Sequence, residues 1–246
     1  MRLFRRLSAV TTAVALSLGI VAPSHAVVGG TATNQPSLAY VGLGEQQCTG
    51  ALVTPEWVLS ARHCLGAGPS TIGVGGQVFR AVEQIPHPTA DIALIKLDRP
   101  SGTAPMTLSS NNLSFGEKTI AAGWGGITHG HAQWAEATTQ RRVTNVPGPD
   151  RQAVLIEQWI SQGILRQGDS GGPLMEGNAV VGVLSMTSHT GTVGWYTPVA
   201  EHTEWISAIS GASKPPAADA PSPLIDATAF PTVIPLPSFP LPFHSH

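Results

Sequence analysis

Gln167-Gly168-Asp169-Ser170-Gly171-Gly172-Pro173 sets a single serine between an aspartate and a glycine pair. Gly, Asp, Ser and Pro are ordinary turn residues, so taken alone the stretch describes a surface turn. It also suits a backbone shaped to hold a nucleophile, and the rest of the chain has to decide. An unactivated serine hydroxyl is a poor nucleophile. It needs an imidazole to take its proton, and the imidazole needs a carboxylate to fix its tautomer and stabilise its charge. Two other segments offer these groups. "LSARHC" ends a strand-like run at His63-Cys64, and "DIALIKL" places Asp91 at the start of an apolar strand. A lone histidine is usually a hydrogen-bonded core or surface residue, and an aspartate before a strand is usually a turn residue. Three such segments in the order His63, Asp91, Ser170 make a nucleophile the better reading.

The surrounding pattern is one of short strands. "SLAYVGL", "CTGALVTPEWVLSA", "STIGVGG", "QVFRAVEQI", "KTIAAGWG", "GPLMEGNAVVGVLSM" and "TVGWYTPV" are rich in Val, Ile, Leu, Thr and aromatic residues, and Gly, Pro or Asn bounds most of them. Strands at this spacing imply a sandwich or barrels. One helix is expected late, from Pro198 to Ile209, with Trp205, Ile206 and Ile209 on one face. "DRQAVLIEQWISQ" fits a strand or a helix. After Gly211 proline dominates the punctuation, and residues 212–246 read as a disordered or polyproline-II tail. That tail is either a spacer, for instance to a cell wall, or an unselective extension.

The first 26 residues read as an export signal: Arg2, Arg5 and Arg6, an apolar run from Ala9 to Ala22, then Ser24-His25-Ala26 as a cleavage site. Removing three of the 13 Arg and Lys leaves ten basic residues against 15 acidic ones. No basic patch argues for nucleic acid, and no later apolar run is long enough for a membrane helix. The mature protein is therefore expected to be secreted and monomeric, without a cofactor. In an exported protein the two cysteines, Cys48 and Cys64, read as a disulfide, because they lack the close CxxC spacing usual for zinc. His129 and His131 form an H-x-H in a Gly-rich loop, but with no third ligand nearby they read as surface residues, so no metal is expected.

The chain resembles the chymotrypsin-type (trypsin-like) serine endopeptidases of the compact bacterial sort, from Val27 to about Gly211. The likeness rests on "VVGG" at Val27–Gly30, "SARHC" with its partner Cys48, "DIALIKL", "GWG" at Gly123–Gly125, "GDSGGP", "VLSM", "WYTPV" and the closing helix. It implies an all-β fold of two packed six-stranded antiparallel β-barrels with a C-terminal helix, and protein or peptide substrates. It also implies that His63 acts as general base and then acid, Asp91 orients it, and Ser170 attacks the scissile carbonyl. The amides of Gly168 and Ser170 would form the oxyanion hole, with Gly168 leaving room for the substrate carbonyl. A new amino terminus at Val27 would pair with Asp169 and order that hole; the expected signal cut falls directly before Val27, so export itself would create the amine.

The sequence departs from the family at the specificity pocket. Ile164 stands at its base where arginine-cutting relatives carry an aspartate, so cleavage after Arg or Lys is disfavoured. Ser185 to Thr187 and Gly194 would form the walls, and Thr187 would narrow the entrance. An apolar or small residue before the cut is the first expectation, and an acidic one drawn by Arg166 the second. Arg62 stands where the family has a small residue and is read as pointing to solvent. The competing functions are a catalytically silent binding protein on the same fold and a secreted esterase.

Overall fold

In a computed structural model that describes residues 27–126, 131–146, 153–217 and 220–227, the Val-, Ile- and Leu-rich runs are strands. Residues 1–26, which were expected to be an export signal, His129 and the last part of the tail lie outside the described residues. The N-terminal half contains β1 (Thr31–Ala32), β2 (Leu38–Leu43), β3 (Gln46–Thr54), β4 (Trp57–Ser60), β5 (Ser70–Val74), β6 (Gln77–Phe79), β7 (Ala81–Pro86) and β8 (Ala93–Leu97). The C-terminal half adds β9 (Thr107–Leu108), β10 (Lys118–Gly123), β11 (Gln133–Thr144), β12 (Leu155–Ser161), β13 (Pro173–Glu176), β14 (Ala179–Thr187) and β15 (Val193–Pro198). The helix α1 (Thr203–Ser210) and a short β16 (Leu224–Asp226) follow.

The two halves close differently. In the C-terminal half β10, β13, β14, β15, β12 and β11 pair in that order, and β11 also pairs with β10, so six strands form a closed barrel. In the N-terminal half the order is β6-β5-β2-β3-β4-β8-β7, with β6 and β7 left as the ends of a curled seven-stranded sheet. The fold is chymotrypsin-like, one closed barrel beside one open one, with a single C-terminal helix. Strand alternation turns Val41, Leu52, Leu59, Ile72 and Ile95 inward until none is exposed. Burying each such side chain contributes about 1.5–3 kcal/mol. The closed barrel fills its narrower interior with Ala121, Ala135 and Ala137 beside Leu174, Val181, Leu184 and Tyr196.

Three details refine the expectations. The ambiguous run around Leu155 is a strand, because β11 on one side and β15 on the other both offer it a ladder. The helix begins later than Pro198: Val199–Glu201 is a 3-10 turn, His202 breaks it with φ −121° and ψ 5°, and the α-helix runs from Thr203. Ile206 is fully buried there, and Trp205 and Ile209 pack on the core beside it. The reading of 212–246 as disordered needs correction at Leu224–Asp226, which pairs in parallel with Arg142–Thr144. The ladder of β11 with β10 ends at Thr138, so the far end of β11 has a free edge, and the proline-free "LID" occupies it. Ile225 and Ala227 then pack against Val143, Val146 and Trp195. Among the described residues no helix is long and apolar enough to cross a membrane.

Cys48 on β3 and Cys64 just beyond β4 are joined as a disulfide that encloses a 16-residue separation. Replacing both by alanine is expected to lower the unfolding free energy in urea by about 3 kcal/mol, the loop-closure entropy for such a span. A loss below about 1 kcal/mol would show that the unfolded chain is already constrained there.

Candidate active site

His63 sits in a 3-10 turn, Arg62–Cys64, directly after β4. Asp91 stands two residues before β8, the strand that pairs with β4, so the sheet itself brings the two together. The His63 backbone N–H donates to Asp91 Oδ1 at 2.9 Å, and the ring Nδ1 lies 2.7 Å from Oδ2. A carboxylate facing Nδ1 fixes the proton on that nitrogen and leaves Nε2 as the basic one. The same Oδ2 accepts the Ser185 hydroxyl at 2.6 Å, and Thr197 Oγ1 donates to the Asp91 carbonyl at 3.2 Å. Asp91 is only 7% exposed. Burial alone would raise its pKa. The hydrogen bond and charge of the His63 ring, the Ser185 hydroxyl and the His63 amide outweigh burial and hold the carboxyl below its ordinary value.

Ser185 was expected to wall the specificity pocket, yet its hydroxyl is turned onto Asp91. The cause is local: the β14–β15 register shifts between Leu184 and Met186, and the bulge re-aims the side chain between them.

The 167–173 turn is pinned from both halves. The Ser170 carbonyl accepts the Thr49 N–H at 2.8 Å, and the Thr49 hydroxyl donates to the Gly168 carbonyl at 2.8 Å while accepting the Trp124 N–H at 2.9 Å. Gly171 donates to the Leu184 carbonyl, and Leu184 donates back to Gly172. Gly171 has φ +77°, and a Cβ there would lie 2.2 Å from Ser60 Oγ and 2.9 Å from the Ala61 nitrogen. Ser170 is thus held one residue from a contact with Ala61, itself two residues from His63. Gly168 has φ +98°, and a Cβ would meet Gly125 Cα at 2.8 Å, so packing of the turn requires the glycine independently of any substrate. Neither the Gly168 nor the Ser170 amide donates to an acceptor among the described residues.

Asp169 is fully buried. Its Oδ1 accepts the Gly125 N–H at 2.7 Å, its Oδ2 the Arg166 N–H at 2.8 Å, and the Val27 N–H also reaches the carboxylate. Burial nevertheless pushes its pKa up to about 6, against those three amides and the Arg166 charge. Val27 is fully buried and has φ +43°, a left-handed conformation that a β-branched residue adopts only under strain.

Ile164, Thr187 and Gly194 were expected to form the specificity pocket together with Ser185. The Ile164 N–H donates to the Val28 carbonyl at 3.0 Å, and Thr187 pairs with Gly194 across β14 and β15. Leu165, which the sequence reading passed over, is 2% exposed and clusters with Leu184 and Tyr196. A Cβ on Gly194 would lie 2.7 Å from Leu165 Cδ1, so the leucine occupies the space that this glycine leaves open. Arg166 is exposed. Arg62 is exposed as expected, although its guanidinium donates to the Pro88 carbonyl at 3.3 Å. Cys48, His63 and Cys64 are the described residues close enough together to hold an ion, but the disulfide has taken both sulfurs.

The missed contributors, Thr49, Ser185 in its observed role, and Leu165, lie in unremarkable strand or turn sequence. Only the third carried a readable signal: an apolar residue one position after the pocket base.

Two β-barrels with an imidazole–carboxylate pair and a serine-bearing turn at their junction define a chymotrypsin-like protease fold. The sequence profile of the Trypsin family matches residues 27–206, and the chain belongs to that family of serine proteases. An uncharacterized peptidase of Corynebacterium glutamicum is 43% identical, over 93% of this chain and 89% of its own length. A snake venom serine protease homolog, HS120 of Bothrops jararaca, is 29% identical over 77% of this chain and 89% of its own. Among solved structures, neuropsin, a serine protease of mouse brain, superposes with a TM-score of 0.61 at 27% identity. That match covers 73% of this chain and 97% of neuropsin.

His202, between the 3-10 turn and α1, carries a testable charge effect. Burial, and then the neighbouring His87, lower its pKa from 6.5 to about 4. The unfolded chain therefore binds a proton between these values that the folded chain refuses, and stability falls as the pH drops through this window. His202→Phe is expected to flatten the fall in melting temperature between pH 6.5 and 4. An unchanged slope would assign the acid limb to other groups.

Proposed function

We propose that the protein is a secreted serine endopeptidase that cleaves peptide bonds through an acyl-enzyme on Ser170. The observation that carries this reading is the 2.7 Å His63–Asp91 contact beside a turn whose Gly168 and Ser170 amides meet no acceptor among the described residues. In the first step Ser170 Oγ bonds to the scissile carbonyl carbon while His63 Nε2 takes the hydroxyl proton. The oxyanion that forms accepts hydrogen bonds from the two amides, each such donor being worth about 10²–10³ in rate. The C–N bond then breaks, His63 returns the proton to the departing amine, and a water molecule repeats the sequence on the acyl-enzyme.

The same geometry supports a maturation step. Cutting before Val27 replaces an amide by an ammonium next to a buried carboxylate that three amides and the Arg166 charge do not fully offset, and it frees Val27 from its strained φ. Pairing lowers the Asp169 pKa and raises that of the amine, so the active form persists through neutrality and is lost in alkali.

The substrate preference is for a small apolar residue before the cut, because Leu165 fills the pocket beneath Gly194 and no carboxylate stands at Ile164 to receive an Arg or Lys.

The test is intact mass of the exported protein before and after a fluorophosphonate. A chain starting at Val27 with one adduct, absent in Ser170→Ala, is the expected result. A Val27 start without an adduct would favour a catalytically silent binding protein, and adduct formation with ester turnover alone would favour an esterase. In the same protein, Leu165→Ala is expected to raise kcat/KM for substrates with a large apolar residue before the cut by about tenfold, and a flat profile would place the pocket elsewhere.

A further inference from the structure

The segment that delivers Asp91 is a six-residue loop, His87 to Ile92, closed at its neck by the His87 N–H donating to the Ile92 carbonyl at 2.9 Å. Inside it the His87 ring does something the catalytic reading leaves unexplained. Its Nδ1 accepts two backbone N–H groups at once, from Thr89 at 3.2 Å and from Ala90 at 3.0 Å. Ala90 is 7% exposed and immediately precedes Asp91. An imidazole nitrogen that accepts cannot carry a proton, so this geometry requires neutral Nδ1. The ring is fixed edge-on between His202, centroids 4.6 Å apart, and Trp205, 4.9 Å apart.

We propose that His87 is a positioning residue for the His63–Asp91 pair: its neutral Nδ1 holds the Thr89–Ala90 turn, and protonation of that nitrogen releases the turn and with it Asp91. The inference rests on the reading of Asp91 as the residue that orients His63.

The charges around the ring favour the neutral form. Arg62 reaches over from the 3-10 turn to Pro88, the residue next to His87. Burial and then that guanidinium lower the His87 pKa. On the other side stands His202, itself resistant to protonation. Glu201 is engaged by Arg142, and Glu204 on α1 is exposed and paired with Lys214, so neither carboxylate is free to stabilise a charged His87. The sign follows: the turn is held at neutral and weakly acid pH and is lost as pH falls through the lowered pKa. Once released it has room to move, because Pro88 to Asp91 line a cavity of about 710 Å³ shared with His63 and His202.

Two variants separate acceptance of the amides from mere filling of space. His87→Asn supplies a side-chain oxygen that reaches the N–H two residues on and does not titrate in this range. His87→Leu keeps apolar bulk against Trp205 and has no acceptor. The rate of peptide cleavage and the amide resonances of Thr89 and Ala90 are followed from pH 4 to pH 8, taken as a range about the ordinary histidine value of about 6.5.

The wild type is expected to show a log kcat/KM limb whose slope approaches about two in acid, one proton more than the limb left when His87 no longer titrates. The two amide resonances should move with the second proton. His87→Leu is expected to lose at least about tenfold in kcat with KM within about twofold, and His87→Asn to recover most of that loss with an acid slope of about one. A wild-type slope of about one, an unaltered kcat in folded His87→Leu, or amide titration persisting in His87→Asn would each overturn the proposal. If His87→Leu fails to fold, the comparison of His87→Asn with the wild type decides. If the wild type neither cleaves peptides nor takes a fluorophosphonate, the endopeptidase reading fails, and the amide titration alone then confirms or overturns the hold of His87 on the turn.

Discussion

The Asp169 carboxylate is closed to solvent, and three separate segments of the chain are shaped around it. Gly123 and Gly125 have no space for a Cβ because atoms of Asp169 lie 2.2 to 2.6 Å from where those carbons would be. Arg166 and Gly125 turn their amides inward to it, and Val27 reaches it from the start of the described chain. An ionised carboxylate out of water is costly unless it is paired or hydrogen-bonded. The conformation of the 167–173 turn is therefore set by how this one group is satisfied. The turn carries Ser170 and two amides that meet no acceptor among the described residues, so its geometry depends on a charge that no solvent sees.

The junction of the two halves is built from comparably small contacts. Thr49, on β3 of the open sheet, accepts from Trp124 and donates to Gly168, and Ser60 donates to its carbonyl at 2.7 Å. In the opposite direction Ser185 and Thr197, on the closed barrel, hold Asp91 of the open one. Each half supplies polar groups that complete the other's part of the site, so neither half alone holds the arrangement.

The strand runs and the three chemistry-bearing segments could be read from the sequence because each is a local signal. Strand alternation is set by burial of one face, and "GDSGGP" is a compact local pattern, although the steric exclusion at Gly168 and Gly171 comes from Gly125, Ser60 and Ala61 elsewhere in the chain. "GWG" was visible as a pattern, but its cause, a carboxylate more than 40 residues away, was not. The hold of the Ser185 hydroxyl on Asp91 was not legible, because it depends on a bulge in the β14–β15 register. The helix start was missed because acids and apolar spacing continue through Val199–Glu201, while His202, whose ring lies against that of His87, interrupts the helix. Composition also failed at Leu224–Asp226. Proline flanks these residues without entering them, and their partner edge on β11 exists only once β10 has ended.

A sheet that does not close must keep strangers from adding to it. β6 ends the open sheet and exposes Val78, yet Arg99 lays its guanidinium over the Phe79 ring, centroid 4.4 Å away, and donates to the Val78 carbonyl at 2.9 Å. One acceptor of the unpaired ladder is thereby taken up by a charged side chain rather than by backbone. At the opposite end β7 finishes on Pro86, which has no N–H to offer. Both ends of the open sheet are thus blocked where a foreign strand would dock, which favours the chain's remaining dispersed at high concentration.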